Sequence, residues 1–214
     1  MKVAVIGANG KIGTHVVEQL QQEQKHDVVA IVRKQEQLDA WQQKDVQARL
    51  VDLEDPVGNI AKAMADIDAI IFTAGSGADT GSDKTLLVDL DGAVKAMAAA
   101  SAAGTQRFVL VSALQAHRRE SWNEDLKAYY VAKHFADNEL MRSDLDWTIV
   151  RPGGLTDESG SNKVQLAKDL SSGTIPRKDV ASILVRCLDT PKTIGKHFDA
   201  LEGNTEVDKA VAEV

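Results

Sequence analysis

Aromatic residues make up only 4% of this 214-residue chain, so any core has to be assembled from Val, Ile, Leu and Ala. Cysteine is nearly absent. The single Cys187 excludes an internal disulfide, and inside Ile183-Leu184-Val185-Arg186-Cys187-Leu188 it reads as a small buried hydrophobe rather than a nucleophile. No apolar run approaches the roughly 20 residues that cross a bilayer. Lys2 followed at once by Val3-Ala4-Val5-Ile6 is too short an apolar start for a secretory signal. A basic excess is missing as well: 25 Lys plus Arg face 32 Asp plus Glu, a net charge of -7, which leaves no cationic footprint for nucleic acid. The five histidines are scattered, without H-E-x-x-H or paired-Cys spacing, so no metal site is expected. No G-x-S-x-G elbow is present. These absences point to a reducing, cytoplasmic setting with no membrane or nucleic-acid partner; a small-molecule substrate is expected, in a monomer or homodimer.

What is present is an alternation. Short Val- and Ile-rich runs occur at Val3–Ile6, Val28–Val32, Val46–Val51, Ala69–Phe72, Phe108–Val111 and Thr148–Val150. They lack polar alternation, as strands buried on both faces do. Between them lie helical segments at about 11–24, 35–43, 57–65, 83–103 and 123–142. Six strands alternating with helices predict an α/β fold with a doubly wound parallel sheet. After Arg151-Pro152 the pattern weakens to a short strand at Val164–Ala167, a helix at Asp179–Leu188, a strand at His197–Leu201 and a last helix at Val207–Val214. That tail is too short for a domain of its own. Residues 1–214 are therefore read as one domain, with a dinucleotide-binding core over 1–152 and a small cap over 153–214 draped on the carboxyl edge of the sheet, where ligands bind in such folds.

The first run leads into Gly7-Ala8-Asn9-Gly10-Lys11-Ile12-Gly13, a G-x-x-G-x-x-G turn that opens the first helix. Glycines there allow a tight turn, close approach of a pyrophosphate to the main chain, and close packing of helix on strand. Helix-terminal amides then face the anion. An NAD site places an acid about 20 residues past the glycines to hold the ribose 2′-hydroxyl. Here Arg33-Lys34 stands in that position, and a guanidinium pairs with a 2′-phosphate. NADP (as NADPH) is favoured over NAD. Asp52-Leu53, after the third strand, either flanks the adenine or caps a helix.

These features resemble the short-chain dehydrogenase/reductases, in particular the small atypical members akin to NmrA-like and epimerase-like proteins. The resemblance covers almost the whole chain and implies a Rossmann fold. It implies that Thr73-Ala74-Gly75 lies close to the cofactor, and that Arg151-Pro152-Gly153 sits beside the nicotinamide and substrate. Asp179-Val180-Ala181 resembles the Asp-Val-Ala that opens a late helix in this family. From Tyr129-Tyr130-Val131-Ala132-Lys133 it implies Tyr129 and Lys133 as catalytic residues, with Ser112 at the end of the fifth strand. Tyr129 and Lys133, four apart, share a helix face. Lys133 would also hold the nicotinamide ribose, and Ser112 would donate to the developing oxyanion. A neighbouring ammonium lowers a phenol's pKa toward working pH. Asp89 occupies the place where the family keeps a neutral Asn, and an ionised carboxylate there opposes phenolate formation unless Lys133 neutralises it. Tyr130 and His134 read as packing and surface, and His117-Arg118-Arg119-Glu120 as a solvated loop.

The reading that follows is an NADP-dependent oxidoreductase acting on a small carbonyl-like substrate. Two alternatives are a non-catalytic NADP(H)-binding redox sensor and an epimerase or isomerase using transient hydride transfer. The larger substrate domain of the extended members is missing here.

Overall fold

A computed structural model describes residues 1–77 and 80–214. The chain begins with β1 (Lys2–Ile6), α1 (Lys11–Glu23), β2 (Asp27–Val32), α2 (Gln35–Gln42), β3 (Gln47–Leu50), α3 (Val57–Ala63) and β4 (Ala69–Phe72). A short α4 (Ser82–Lys84) runs through a π-helical stretch, Thr85–Gly92, into α5 (Ala93–Ala103). Then follow β5 (Arg107–Val111), α6 (Lys127–Arg142), β6 (Asp146–Pro152), β7 (Gly154–Thr156), β8 (Lys163–Ala167), β9 (Thr174–Pro176), α7 (Arg177–Leu188), β10 (Lys196–Glu202), β11 (Thr205–Glu206) and α8 (Val207–Ala212).

The main sheet runs in the order β11-β8-β10-β6-β5-β4-β1-β2-β3. All pairings from β3 across to β10 are parallel. The chain moves outward from β1 to β3 and resumes beside β1 with β4, so the strand order reverses between β1 and β4. In open α/β sheets such a reversal leaves a crevice at the carboxyl ends. This is the doubly wound parallel sheet expected from the alternation.

Both faces of the inner strands are buried, which accounts for their missing polar alternation; the edge strand β3 has no buried residue. Val3, Val5, Val109 and Val111 pack under α1 and α7. Ala4, Ile6, Phe72, Phe108 and Leu110 pack on the other face with α3, α5 and α6. In α5, Ala93, Ala96, Ala99 and Ala100 are fully buried, and their small side chains let the helix lie close. The sequence predicts one regular helix over 83–103. The π register within it differs, and it keeps Thr85, Asp89 and Gly92 on the buried side.

The tail elements stand where the pattern placed them, but most of them enlarge the fold rather than cover it. β10 pairs in parallel with β6, β8 adds antiparallel to β10, and α7 packs on α1. The β7–β9 pair was not foreseeable, because three-residue strands carry no period. It follows directly on the carboxyl end of β6. Arg107 ties the tail down. Its guanidinium donates to Asp146 O (2.7 Å), Thr148 Oγ1 (2.8 Å), Cys187 O (2.8 Å) and Thr193 Oγ1 (3.0 Å). Cys187 is buried, and burial pushes its thiol up to about 12, so it carries no thiolate at neutral pH. No described helix is long and apolar enough to cross a membrane.

Arg107→Met keeps the apolar stem and strands four acceptors. The expected loss is roughly 3 kcal/mol, a fall in Tm on the order of 10 °C, read by thermal unfolding. An unchanged Tm contradicts the role of the clasp.

Candidate active site

β1 ends at Ile6 and the chain turns at Gly7 with φ +85°. A Cβ on Gly7 would lie 2.7 Å from the main chain of Ala74, so the exits of β1 and β4 touch there. A Cβ on Gly13 would overlap the Gly7 carbonyl oxygen and lie 2.8 Å from Thr73 Oγ1. Thr73 donates its hydroxyl to Ile6 O at 2.9 Å, and the Gly10 amide donates to Gly7 O at 2.9 Å. A Cβ on Gly10 would approach only Gly7 O, at 3.2 Å, so its other side is open. The first turn of α1 contains no acid, which leaves its amides unneutralised.

A cleft of about 420 Å³ opens at this point. Of the residues expected to hold the cofactor, Gly7, Asn9, Gly10, Arg33, Asp52, Leu53, Thr73, Ala74 and Gly75 line it. Other expected contacts sit elsewhere. Ile12 and Gly13 are buried beneath the turn, because close helix–strand packing uses them up. Lys11 is drawn to Asp157 (2.6 Å), which also takes Arg177 (2.5 Å). Lys34 reaches Glu36 at 3.4 Å, and Pro152 is buried in β6. These residues flank or support the cleft. Gln37, Ser76, Lys84 and Val88 line it without having been anticipated. Gln37 has a local reason: its Oε1 accepts from the amides of Arg33 and Lys34, both at 3.2 Å. A Gln three residues past the N-cap is a capping-box signal in the sequence. Asp52 lines the cleft and accepts from the Glu54 amide at 2.9 Å in a local turn, and it does not cap α3, whose N-cap is Pro56.

A second group of side chains converges from α6, β5 and the π-helical stretch. Tyr129, Lys133 and Asp137 recur every four residues and share one face of α6. Lys133 is buried. Its Nζ donates to Val111 O (3.3 Å), pairs with Asp89 Oδ1 (3.3 Å), and lies 5.6 Å from the centre of the Tyr129 ring. Asp89, also buried, accepts with Oδ2 from the Ser76 amide at 2.9 Å and so joins Lys133 to the loop after β4. Burial alone lowers the Lys133 pKa, but the fields of Tyr129 and Asp89 outweigh that and hold it raised. The Tyr-Lys spacing predicts a lowered phenol, and the structure differs. Burial pushes Tyr129 above its ordinary range; Lys133 pulls it down, and Asp89 adds to the rise.

Ser112 ends β5 as expected and is buried, with no hydrogen-bond partner for Oγ among the described residues. It faces Asp137, whose Oδ2 accepts from Arg151 Nε at 2.8 Å and whose Oδ1 is also unpartnered. Asp137 was missed in the sequence, although it stands one turn beyond Lys133. Arg151 is fully buried and also donates to His197 Nδ1 at 2.8 Å, which makes His197 a neutral imidazole protonated at Nε2. Burial, with Arg151 beside it, lowers His197 to about 4. Nearby, Arg118 is held by Asp169 (2.8 Å) and Glu120 (3.2 Å), so this part of the loop expected to be solvated is tied to the tail. Trp122 stacks on Tyr130 at 6.1 Å, and His134 Nδ1 meets Ala116 O at 2.9 Å, in keeping with packing roles for Tyr130 and His134.

Asp199, opposite Arg151 in the β6–β10 register, is buried. Burial raises its carboxyl to about 6, against the pull of the Leu170 amide (2.9 Å) and Arg151. Such a group holds an extra proton in the folded state, so its stabilisation is full at acid pH and is lost as pH rises through about 6. Asp199→Asn keeps the acceptor for Leu170. Relative to the parent it is expected to gain on the order of 2 kcal/mol between about pH 4 and 6, read by urea unfolding across pH. Parallel pH profiles contradict this.

The NAD(P)H-binding family model matches residues 7–191. The chain belongs to that family. A Bacillus subtilis relative called "Uncharacterized sugar epimerase YhfK" is 52% identical over 214 residues, covering all of both chains. The solved oxidoreductase ylbE of Lactococcus lactis superimposes with a TM-score of 0.91 at 33% identity, covering 100% of this chain and 96% of that one. The anaerobillin reductase ChuY of Escherichia coli O157:H7 does so with a TM-score of 0.82 at 26% identity, covering 96% and 99%. The chain is thus a Rossmann-type NAD(P)-binding protein with oxidoreductase-like and epimerase-like relatives.

Proposed function

We propose that this protein is an NADP-dependent oxidoreductase that reduces a small carbonyl-like substrate. The observation that carries the proposal is the buried Lys133, whose Nζ lies 5.6 Å from the centre of the Tyr129 ring and pairs with Asp89, which holds the amide of Ser76 in the wall of a cleft that fits a dinucleotide. The fit rests on the open side of Gly10, the acid-free start of α1 and the cleft at the reversal of strand order.

When bound, the reduced nicotinamide supplies a hydride to the carbonyl carbon. The amides of the Gly7–Gly13 turn hold the diphosphate. Arg33 lines the cleft, pairs with no acid among the described residues, and takes the 2′-phosphate. Tyr129 gives its proton to the carbonyl oxygen. The buried hydroxyl of Ser112 donates to that same oxygen as charge builds on it. Lys133 orients Tyr129 and the nicotinamide ribose.

The name of the Bacillus subtilis relative favours a second reading, an epimerase in which hydride leaves and returns. Product formed without net loss of NADPH absorbance selects that reading. Tight NADPH binding with no turnover on quinones, aldehydes, flavins and ketones, together with a difference in partner capture between NADP and NADPH, favours a redox sensor.

Arg33→Ala is expected to weaken NADP by about tenfold or more while NAD affinity barely moves, as measured by titration calorimetry. Equal losses remove the assignment of Arg33. Tyr129→Phe is expected to lower kcat by roughly 10²–10⁴ with NADPH affinity retained. Full activity in this variant rejects Tyr129 as the donor.

A further inference from the structure

We propose that Asp89 locks Lys133 into a closed, buried ion pair, so that Tyr129 works as a neutral proton donor and the site is built for carbonyl reduction rather than alcohol oxidation. This rests on the oxidoreductase reading above, with Asp89 as a positioning residue acting through Lys133.

The geometry is the basis. Lys133 and Asp89 are both buried, and their charged atoms stand 3.3 Å apart. Lys133 spends further hydrogen-bonding capacity on Val111 O at 3.3 Å, and its Nζ lies 5.6 Å from the centre of the Tyr129 ring. No hydrogen bond joins Lys133 to the Tyr129 hydroxyl among the described residues. A lone ammonium in this low-dielectric site would favour a phenolate strongly, whereas an ammonium paired with a carboxylate presents a dipole whose field falls off faster. Asp89 cannot swing away easily, because Oδ2 is held by the Ser76 amide at 2.9 Å and a Cβ on Gly75 would meet Oδ1 at 3.0 Å.

The other groups facing the phenol do not restore the attraction. Asp137 and Tyr130, on α6 itself, disfavour a further negative charge, and Arg151 of β6 is committed to Asp137 at 2.8 Å. Burial acts in the same direction.

In reduction, hydride passes from the reduced nicotinamide dinucleotide to the carbonyl carbon, and the Tyr129 O–H bond breaks to give its proton to the oxygen. The dinucleotide is oxidised, the carbonyl becomes an alcohol, and Tyr129 recovers a proton from water. Oxidation requires the phenolate first, which this site disfavours.

The chain has only two tyrosines, so Tyr130→Phe, which keeps the ring stacked on Trp122, leaves Tyr129 as the sole phenol. Its ionisation is then read by near-ultraviolet phenolate absorbance without substrate or cofactor. The expected midpoint lies above 10, and adding Asp89→Asn raises the acid constant by about tenfold or more. Asp89→Ser, which also keeps an acceptor for the Ser76 amide, is the second neutral variant should the first not fold. With a carbonyl–alcohol pair, the oxidation pH profile should move to lower pH in the neutral variants. A parent midpoint at or below 10, or one that neither neutral variant lowers, overturns the proposal. Failure to bind NADPH, measured separately, overturns the oxidoreductase reading but leaves the phenol titration intact.

Discussion

Two stretches of main chain have to pass each other without side chains at the point where the strand order reverses. Gly7 stands against the main chain of Ala74, and Gly13 against Gly7 O and Thr73 Oγ1. Any Cβ at these positions would push α1 off the sheet or part β1 from β4, and interiors at native density have no slack to absorb that. The site depends on this approach. It brings the start of α1, the loop after β4 and the end of β2 around one cleft. The same loop carries Ser76, whose amide seizes Asp89, so the close approach also sets where Lys133 finds its counter-charge.

The second half of the site is a line of buried charges in which each is answered by the next. Asp89 meets Lys133, Asp137 meets Arg151, and Arg151 reaches the neutral His197. Replacing buried pairs with apolar residues of similar size often costs little or even stabilises a protein, so such pairs are weak evidence for a stabilising role. Here they lie beside a serine hydroxyl that has no partner among the described residues and a partly exposed tyrosine. In the proposed function, their effect is on the protonation of that tyrosine and the setting of that serine.

Much of the architecture was legible because the main-chain layers announce themselves by period. Apart from the edge strand β3, the Val and Ile runs became parallel strands covered on both faces, and the three glycines opened α1 as their spacing required. The Tyr129–Lys133 spacing placed both on one face of α6. What stayed hidden depends on long-range partners. Nothing local says that Arg151, in a strand, ends against Asp137 of α6, or that Asp89 sits on a π-helical turn. Ser76, Lys84 and Val88 reach the cleft from a loop and a helix whose paths are set by packing. The direction of the Tyr129 shift was out of reach for the same reason: the Lys133 spacing is local, whereas burial and the Asp89 carboxylate are consequences of the assembled fold.

β10 sits between β6 and β8, although β8 precedes it in the chain. During synthesis, β8 therefore emerges from the ribosome as a strand with no sheet to join, and β6 keeps an open edge until residue 202 has been delivered. The last long strand of the main sheet to be made, β10, is one of its inner members, and only the two-residue β11 at the edge follows it. Closure of the protein must then be a late, collective event, and a nascent chain stopped short of β10 presents bare backbone that invites pairing with a neighbour.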